Sequence, residues 1–115
     1  MSQTLAIDRI GENGDRQLVL RLTGPLVLAT MFDLQSQLRD VSSTTTIVDL
    51  SGVPYVDSAG LGVLVNSHVS HQKNGRRLIL AGVPERVMSL LKMCRVDLLF
   101  EMLPDLDAAR HAAGS

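Results

Sequence analysis

Tryptophan is absent from this chain, and its aromatic side chains come to one tyrosine and two phenylalanines in 115 residues. So few rings leave little on which single-stranded nucleic acid could stack. They also oblige the core to be built from Leu, Val, Ile, Ala and Met. Cysteine is nearly missing too. Cys94 stands alone, which rules out an intramolecular disulfide and fits a reducing compartment. Neither sign of charge prevails: eleven Lys and Arg face twelve Asp and Glu, for a net charge of -1. With no basic stripe, neither nucleic acid nor an anionic membrane is expected as the main partner. No apolar run approaches the ~18 residues that cross a bilayer. The N-terminus lacks the basic stretch and apolar run of a secretory signal. The expectation is a cytoplasmic chain with no direct membrane insertion.

What is present is enough for one domain over residues 1–115, with 45% hydrophobic residues to fill a core without staples. Leu5 to Ile10 reads as a strand, followed by a turn cluster, Gly11-Glu12-Asn13-Gly14-Asp15, with Asn-Gly at its centre. Gln17 to Thr23 is a second strand whose Leu18, Leu20 and Leu22 mark one buried face. The two form an antiparallel hairpin. Leu26-Val27-Leu28-Ala29 is either a short extended crossing or a buried loop. Thr30 then reads as an N-cap with Asp33 in a weak capping box. Met31, Leu34, Leu38 and Val41 follow at helical spacing, so a first helix is predicted over Met31 to Val41. Thr45 to Leu50 has the apolar density of a strand buried on both faces. Leu61, Leu64, Val65 and Val69 share a face of the next helix, which Asn74-Gly75 ends as a left-handed cap. Leu78 to Ala81 is another strand. Pro84 fits the first position of a third helix whose apolar stripe is Val87, Leu90, Leu91 and Cys94. Val96 to Phe100 reads as a last short strand or a loop, and Pro104 opens a final helix, acidic at its start and basic near its end. Strand–helix–strand crossings take one hand, so the predicted architecture is α/β: a mixed four- to five-stranded sheet, a hairpin at its start, about four helices packed against it.

The stretch around which these elements are organised is Tyr55-Val56-Asp57-Ser58-Ala59-Gly60-Leu61-Gly62. A strand runs into it and a helix runs out of it, so Asp57 and Ser58 fall at a helix N-terminus. Asp57 is suited to cap that helix through a side-chain oxygen. Ser58 then becomes the first helical residue, its hydroxyl facing solvent among backbone N–H groups and the positive end of the helix dipole, a favourable place to carry a phosphate. Gly60 and Gly62 each cost ~1 kcal/mol relative to Ala inside a helix. Close approach of a neighbouring element, or of a partner's surface, would offset that cost.

On these residues the chain resembles the STAS domain family, which includes bacterial anti-sigma-factor antagonists and the cytoplasmic tails of sulfate transporters. The family pattern is an apolar strand ending Asp-Leu-Ser (here Asp49-Leu50-Ser51), a bend with an aromatic (Tyr55), then Asp-Ser-Ser/Ala-Gly-Leu-Gly opening a helix (Asp57 to Gly62). The resemblance covers nearly the whole chain in the order of its elements. It implies that Ser58 is phosphorylated by a partner anti-sigma factor that is itself a serine kinase, and that the unphosphorylated chain sequesters that partner. Leu28, Thr30, Tyr55, Asp57, Ser58, Ala59, Gly60 and Gly62 would form or shape the contact. Antagonists carry an acidic residue where Val27 stands here, and an apolar replacement would suit a drier interface. The alternative the family offers is a constitutively bound subunit of a lipid transporter or stress-signalling scaffold.

Competing chemistry is poorly served. The esterase elbow needs Gly-x-Ser-x-Gly, and Val56 occupies the place of its first glycine. Asp57-Ser58 resembles the attachment site of carrier proteins, but those are all-helical and strongly acidic. Asp49 has no second acid and lysine around it to make a receiver site. His68 and His71, three apart on one helix, supply too few ligands for a metal and read as solvent-facing. Cys94, Met88, Met93 and Met102 read as core fillers. No catalytic residue, metal site or cofactor is expected, and the oligomeric state stays open.

Overall fold

The computed structural model describes residues 3–13 and 16–114. The Gly14-Asp15 half of the predicted turn lies outside them. One sheet runs in the spatial order β1 (Ala6–Asn13), β2 (Gln17–Thr23), β3 (Thr45–Gly52), β4 (Arg77–Ala81), β5 (Glu101–Leu103). The β1–β2 pair is antiparallel, with a bulge between Arg9 and Gly11, and every later pair is parallel. Strand order therefore follows chain order. Because the crossovers step in one direction with one hand, α1 (Met31–Arg39), α2 (Ser58–Lys73) and α3 (Glu85–Met93) fall on the same face. The last helix, α4 (Leu106–Gly114), covers the other face against β3, β4 and β5.

The sequence separates the two cores. Leu18, Leu20 and Leu22 pack with Val48, Leu50, Leu78 and Leu80 beneath the three crossover helices. Val19, Ile47, Ile79 and Ala81 point the other way, onto Ala109 of α4. The alternation in β2 hides a second buried residue, since Val19 is as fully covered as its leucine neighbours. As predicted, β3 is buried on both faces. Its Asp49 is a buried carboxylate, accepting a bond from the Ser51 amide at 3.0 Å and lying 3.4 Å from the Arg21 guanidinium.

Several expectations need correction. Strand β1 continues beyond Ile10 to Asn13, because its pairing with β2 continues. Helix α1 stops at Arg39, two residues early, although Val41 is still buried. Pro84 precedes α3 in extended backbone rather than opening it. Of strand and loop, the segment Val96 to Phe100 takes the loop, built around a 3-10 turn, Asp97–Leu99. The Val96 amide is drawn back to the Leu91 carbonyl at 2.9 Å, so sheet pairing resumes only at Glu101. The same reversal leaves Cys94 exposed instead of in the core: α3 ends there and Arg95 swings the chain away at φ 59°. Met93 and Val69 are likewise exposed, whereas Met88 and Met102 do pack on the core. Helix α4 begins at Leu106, with Asp105 accepting the Ala108 amide at 2.8 Å.

Candidate functional site

The bend after β3 brings the chain back across the segment before α1. Val56 and Leu26 form an isolated parallel bridge. The Leu26 amide donates to the Tyr55 carbonyl at 3.1 Å, and the Asp57 amide donates to the Leu26 carbonyl at 3.2 Å. Leu26-Val27 is thus a one-bridge extended crossing that turns, over residues 27–30, into α1. Of the two sequence alternatives for this segment, the extended crossing holds at Leu26; the part that loops, Leu28-Ala29, is exposed rather than buried.

This crossing explains Gly60. A Cβ there would lie 2.2 Å from the Leu26 carbonyl oxygen, so only glycine lets α2 start this close to it. Gly62 has no such reason within the described residues, since a Cβ there meets nothing within 4 Å. The two glycines, equal in sequence, part company in structure.

Asp57 occupies the N-cap of α2 in extended backbone. Its Oδ1 accepts from the Gly60 amide at 2.8 Å, as anticipated. Its Oδ2 accepts from the Leu28 amide at 3.0 Å, a bond that the sequence pattern gave no sign of. Ser58 is the first residue of α2 and is exposed. Among the described residues no hydrogen bond holds its hydroxyl. Ala59 and Gly62 are half-buried beside it, and half-buried Tyr55 is hydrogen-bonded through its hydroxyl to Gln3.

Thr30 stands at the N-cap of α1 but does not cap it. Its backbone is already near-helical, at φ -118° and ψ -8°, where a cap residue would be extended, and its hydroxyl turns back along the chain. There it accepts from the Val27 amide at 3.0 Å and donates to the Pro25 carbonyl at 2.8 Å. Thr30 therefore shapes the turn that carries Leu28. Val27 is only 6% exposed and belongs to the core, so its departure from the family pattern removes an acid without adding apolar contact surface. The apolar surface comes from Leu28, 58% exposed, and from Phe32, 60% exposed. Phe32 was missed, yet a signal was there, since it lies off the Met31, Leu34, Leu38 stripe.

A family model, "STAS domain", matches residues 6–109. The chain belongs to the STAS domain family. Among solved structures, this STAS domain is similar to an anti-sigma factor antagonist from Mycobacterium paratuberculosis, at 22% identity and TM-score 0.80, covering 96% of each chain. It is similar to the anti-sigma factor antagonist SpoIIAA in its unphosphorylated form, at 17% identity and TM-score 0.70, covering 93% of this chain and 96% of that one. The phosphorylated form of the Bacillus cell fate determinant SpoIIAA matches at 14% identity and TM-score 0.70, covering 94% of this chain and 98% of that one. The murine anion transporter Slc26a9 matches at 17% identity and TM-score 0.73 over 90% of this chain, but only 18% of that one. At these identities the structural likeness concerns the fold.

The STAS domain's histidines divide. His71 is buried, against expectation. Its Nδ1 donates to the Ser67 carbonyl at 2.8 Å, which leaves Nε2 to accept from the Thr46 hydroxyl at 3.1 Å. Loss of water around the ring pushes its pKa below the usual 6.5, and the nearby Arg76 and His68 push the same way against the Ser67 bond. His68 is half-buried and packs edge-on against Phe100 at 5.6 Å. Among the described residues no group of three or more His, Cys, Asp or Glu is placed to hold a metal.

Proposed function

We propose that this STAS domain is an anti-sigma-factor antagonist: a cytoplasmic binding module, without catalysis or cofactor of its own, that sequesters an anti-sigma factor with serine kinase activity while Ser58 is unphosphorylated. One observation carries the reading. Ser58 is exposed on the first turn of α2, beside an Asp57 carboxylate whose two oxygens are already engaged. A phosphate there brings about -1.5 to -2 charges. The surface around it, residues 24–33 and 54–66, contains no lysine or arginine. The domain has no cation in these segments to neutralise the phosphate, so a partner must desolvate the full charge or let go. The helix start tolerates the anion, so the switch acts on the interface and leaves the fold in place. The likeness to an antagonist solved in both unphosphorylated and phosphorylated forms supports the same reading. Incubation with the partner kinase and ATP is expected to add one phosphate by intact mass, absent in Ser58→Ala. Equal labelling of Ser58→Ala would remove the basis of the proposal.

A second reading, a constitutively bound subunit of a transporter or signalling scaffold, draws on the likeness to a domain occupying a small part of a long transporter chain. In that case Ser58→Asp leaves the copurifying assembly intact. No helix among the described residues is long and apolar enough to cross a membrane.

A further inference from the structure

We infer that Asp57 is a positioning residue that couples Ser58 to the Leu28 turn: its carboxylate clasps the Leu28 amide to the start of α2, and a phosphate on Ser58 loosens that clasp. The inference rests on Ser58 being the modified residue, and it adds how the modification reaches the neighbouring Leu28 turn, which lies on a different chain segment.

The geometry is specific. A helix cap needs one oxygen, and Oδ1 of Asp57 supplies it to Gly60 at 2.8 Å. The second oxygen reaches out of its own helix, 29 residues back along the chain, to the Leu28 amide at 3.0 Å. That amide belongs to an exposed residue at the tip of the turn between Val27 and Thr30. The turn is otherwise held by its own Thr30 hydroxyl and by the Thr30 amide on the Val27 carbonyl at 3.0 Å, contacts internal to residues 25–30. The neighbouring tie at Leu26 is made by backbone groups alone and is independent of any side-chain charge. Among the described residues the Asp57 carboxylate is therefore the one side-chain bond between the Leu28 turn and α2. It sits on the residue next to Ser58.

Electrostatics gives the clasp its sensitivity. A carboxylate that accepts from two amides is a charge-assisted acceptor whose strength depends on the local field. A phosphate one residue away repels that carboxylate and offers oxygens of its own to nearby amides. The cap bond lies inside the helix start and is supported by the bond from the Leu61 amide to the Asp57 carbonyl at 2.8 Å. The Leu28 bond is at the surface and lacks such backing, so it yields first. Releasing it frees Leu28, one of the two exposed apolar side chains on this face, without unwinding α2.

Amide hydrogen exchange on the full chain tests this without the kinase. Three proteins are compared: wild type, a chain with phosphoserine installed at position 58 during synthesis, and Asp57→Asn. Asparagine is as good a cap as aspartate but keeps only one acceptor oxygen. The Leu28 amide is expected to exchange about threefold to tenfold faster in the phosphoserine chain and in Asp57→Asn, the scale of one lost hydrogen bond. The Leu26 amide is expected to keep its wild-type rate in both, and Gly60 in Asp57→Asn. An unchanged Leu28 rate in the phosphoserine chain overturns the coupling, as does a general acceleration that includes Leu26. Should Asp57→Asn fold poorly, the phosphoserine chain alone decides. A negative result leaves direct repulsion by the Ser58 phosphate as the switch. Absence of Ser58 labelling by the partner would instead retire the proposed function with the clasp still measurable.

Discussion

Helix α2 carries polar machinery at both ends, and the ends are built for opposite purposes. At its start, Asp57 is half-buried and satisfied while the adjoining Ser58 hydroxyl faces water. At its last turn, His71 is 5% exposed and both ring nitrogens are occupied. The residue types alone favour the reverse, because histidine is the group that changes charge near neutral pH. Burial decides otherwise. A fully engaged interior imidazole has nothing left to bind and serves only the fold. An exposed hydroxyl set among engaged neighbours is what the proposed switch at Ser58 requires.

Substitutions that separate the two ends range from large to small effects. Gly60→Ala is expected to cost the most, about 3 kcal/mol by denaturant unfolding, because its Cβ would sit 2.2 Å from the Leu26 carbonyl oxygen and backbone must shift. A cost below ~0.5 kcal/mol would mean that α2 and Leu26 can part freely. At the other end, Thr46→Val strips the buried His71 Nε2 of its donor, with an expected loss of about 1–3 kcal/mol and no change in Ser58 labelling.

The His71 environment also sets a pH dependence whose sign is fixed. The folded pKa lies below 6.5, so between the two values the unfolded chain holds more protons than the folded one. Stability is full above pH 6.5 and is lost as pH falls below it. Thermal unfolding from pH 7.5 to 5 is expected to show this decline, and His71→Gln to flatten it. An equal slope in the variant would assign the decline to other groups.

Gly62→Ala is the counterpart of Gly60→Ala. With no atom within 4 Å of the new Cβ, helix propensity favours alanine by about 1 kcal/mol. The expected pairing is higher stability with weaker partner binding. Higher stability with unaltered binding would remove Gly62 from the contact surface. The smallest effect concerns helix ends. Both α2 and α3 close with the same pair of bonds, Gly75 to Gln72 and Arg76 to His71 in one, Arg95 to Lys92 and Val96 to Leu91 in the other. The left-handed position holds Gly75 in α2 and Arg95 in α3. Arg95→Gly is expected to stabilise by roughly 0.5 kcal/mol, the relief of strain offset in part by glycine's flexibility.

The same contrast shows how far the sequence could be read. The doubly buried β3, the order of strands and helices, Asp57 as cap and Ser58 as first helical residue all follow from local chemistry: apolar density, turn residues, cap preference. Gly60 was recognisable as costly, but its partner Leu26 lies 34 positions away and becomes visible only once the chain crosses itself. The second bond of Asp57, to Leu28, escaped for the same reason. His71 was misread because its helix is rich in polar residues, and only β3 shows that Thr46 waits beneath it. Cys94 was misread because a left-handed Arg95, rather than a glycine, ends α3. Local pattern reports periodicity and caps; contacts made by one unpaired crossing or one atypical end leave no such trace.

The most direct test of Ser58 as a switch is a paired capture from native cell extract, with wild type and Ser58→Asp as baits, followed by ATP addition to the captured material. The expected result is a kinase-like protein retained by wild type, lost by Ser58→Asp, and able to phosphorylate Ser58 in the wild-type bait. Equal retention of one assembly by both baits, with no label on Ser58, would contradict the switch and leave this serine as part of the helix start alone.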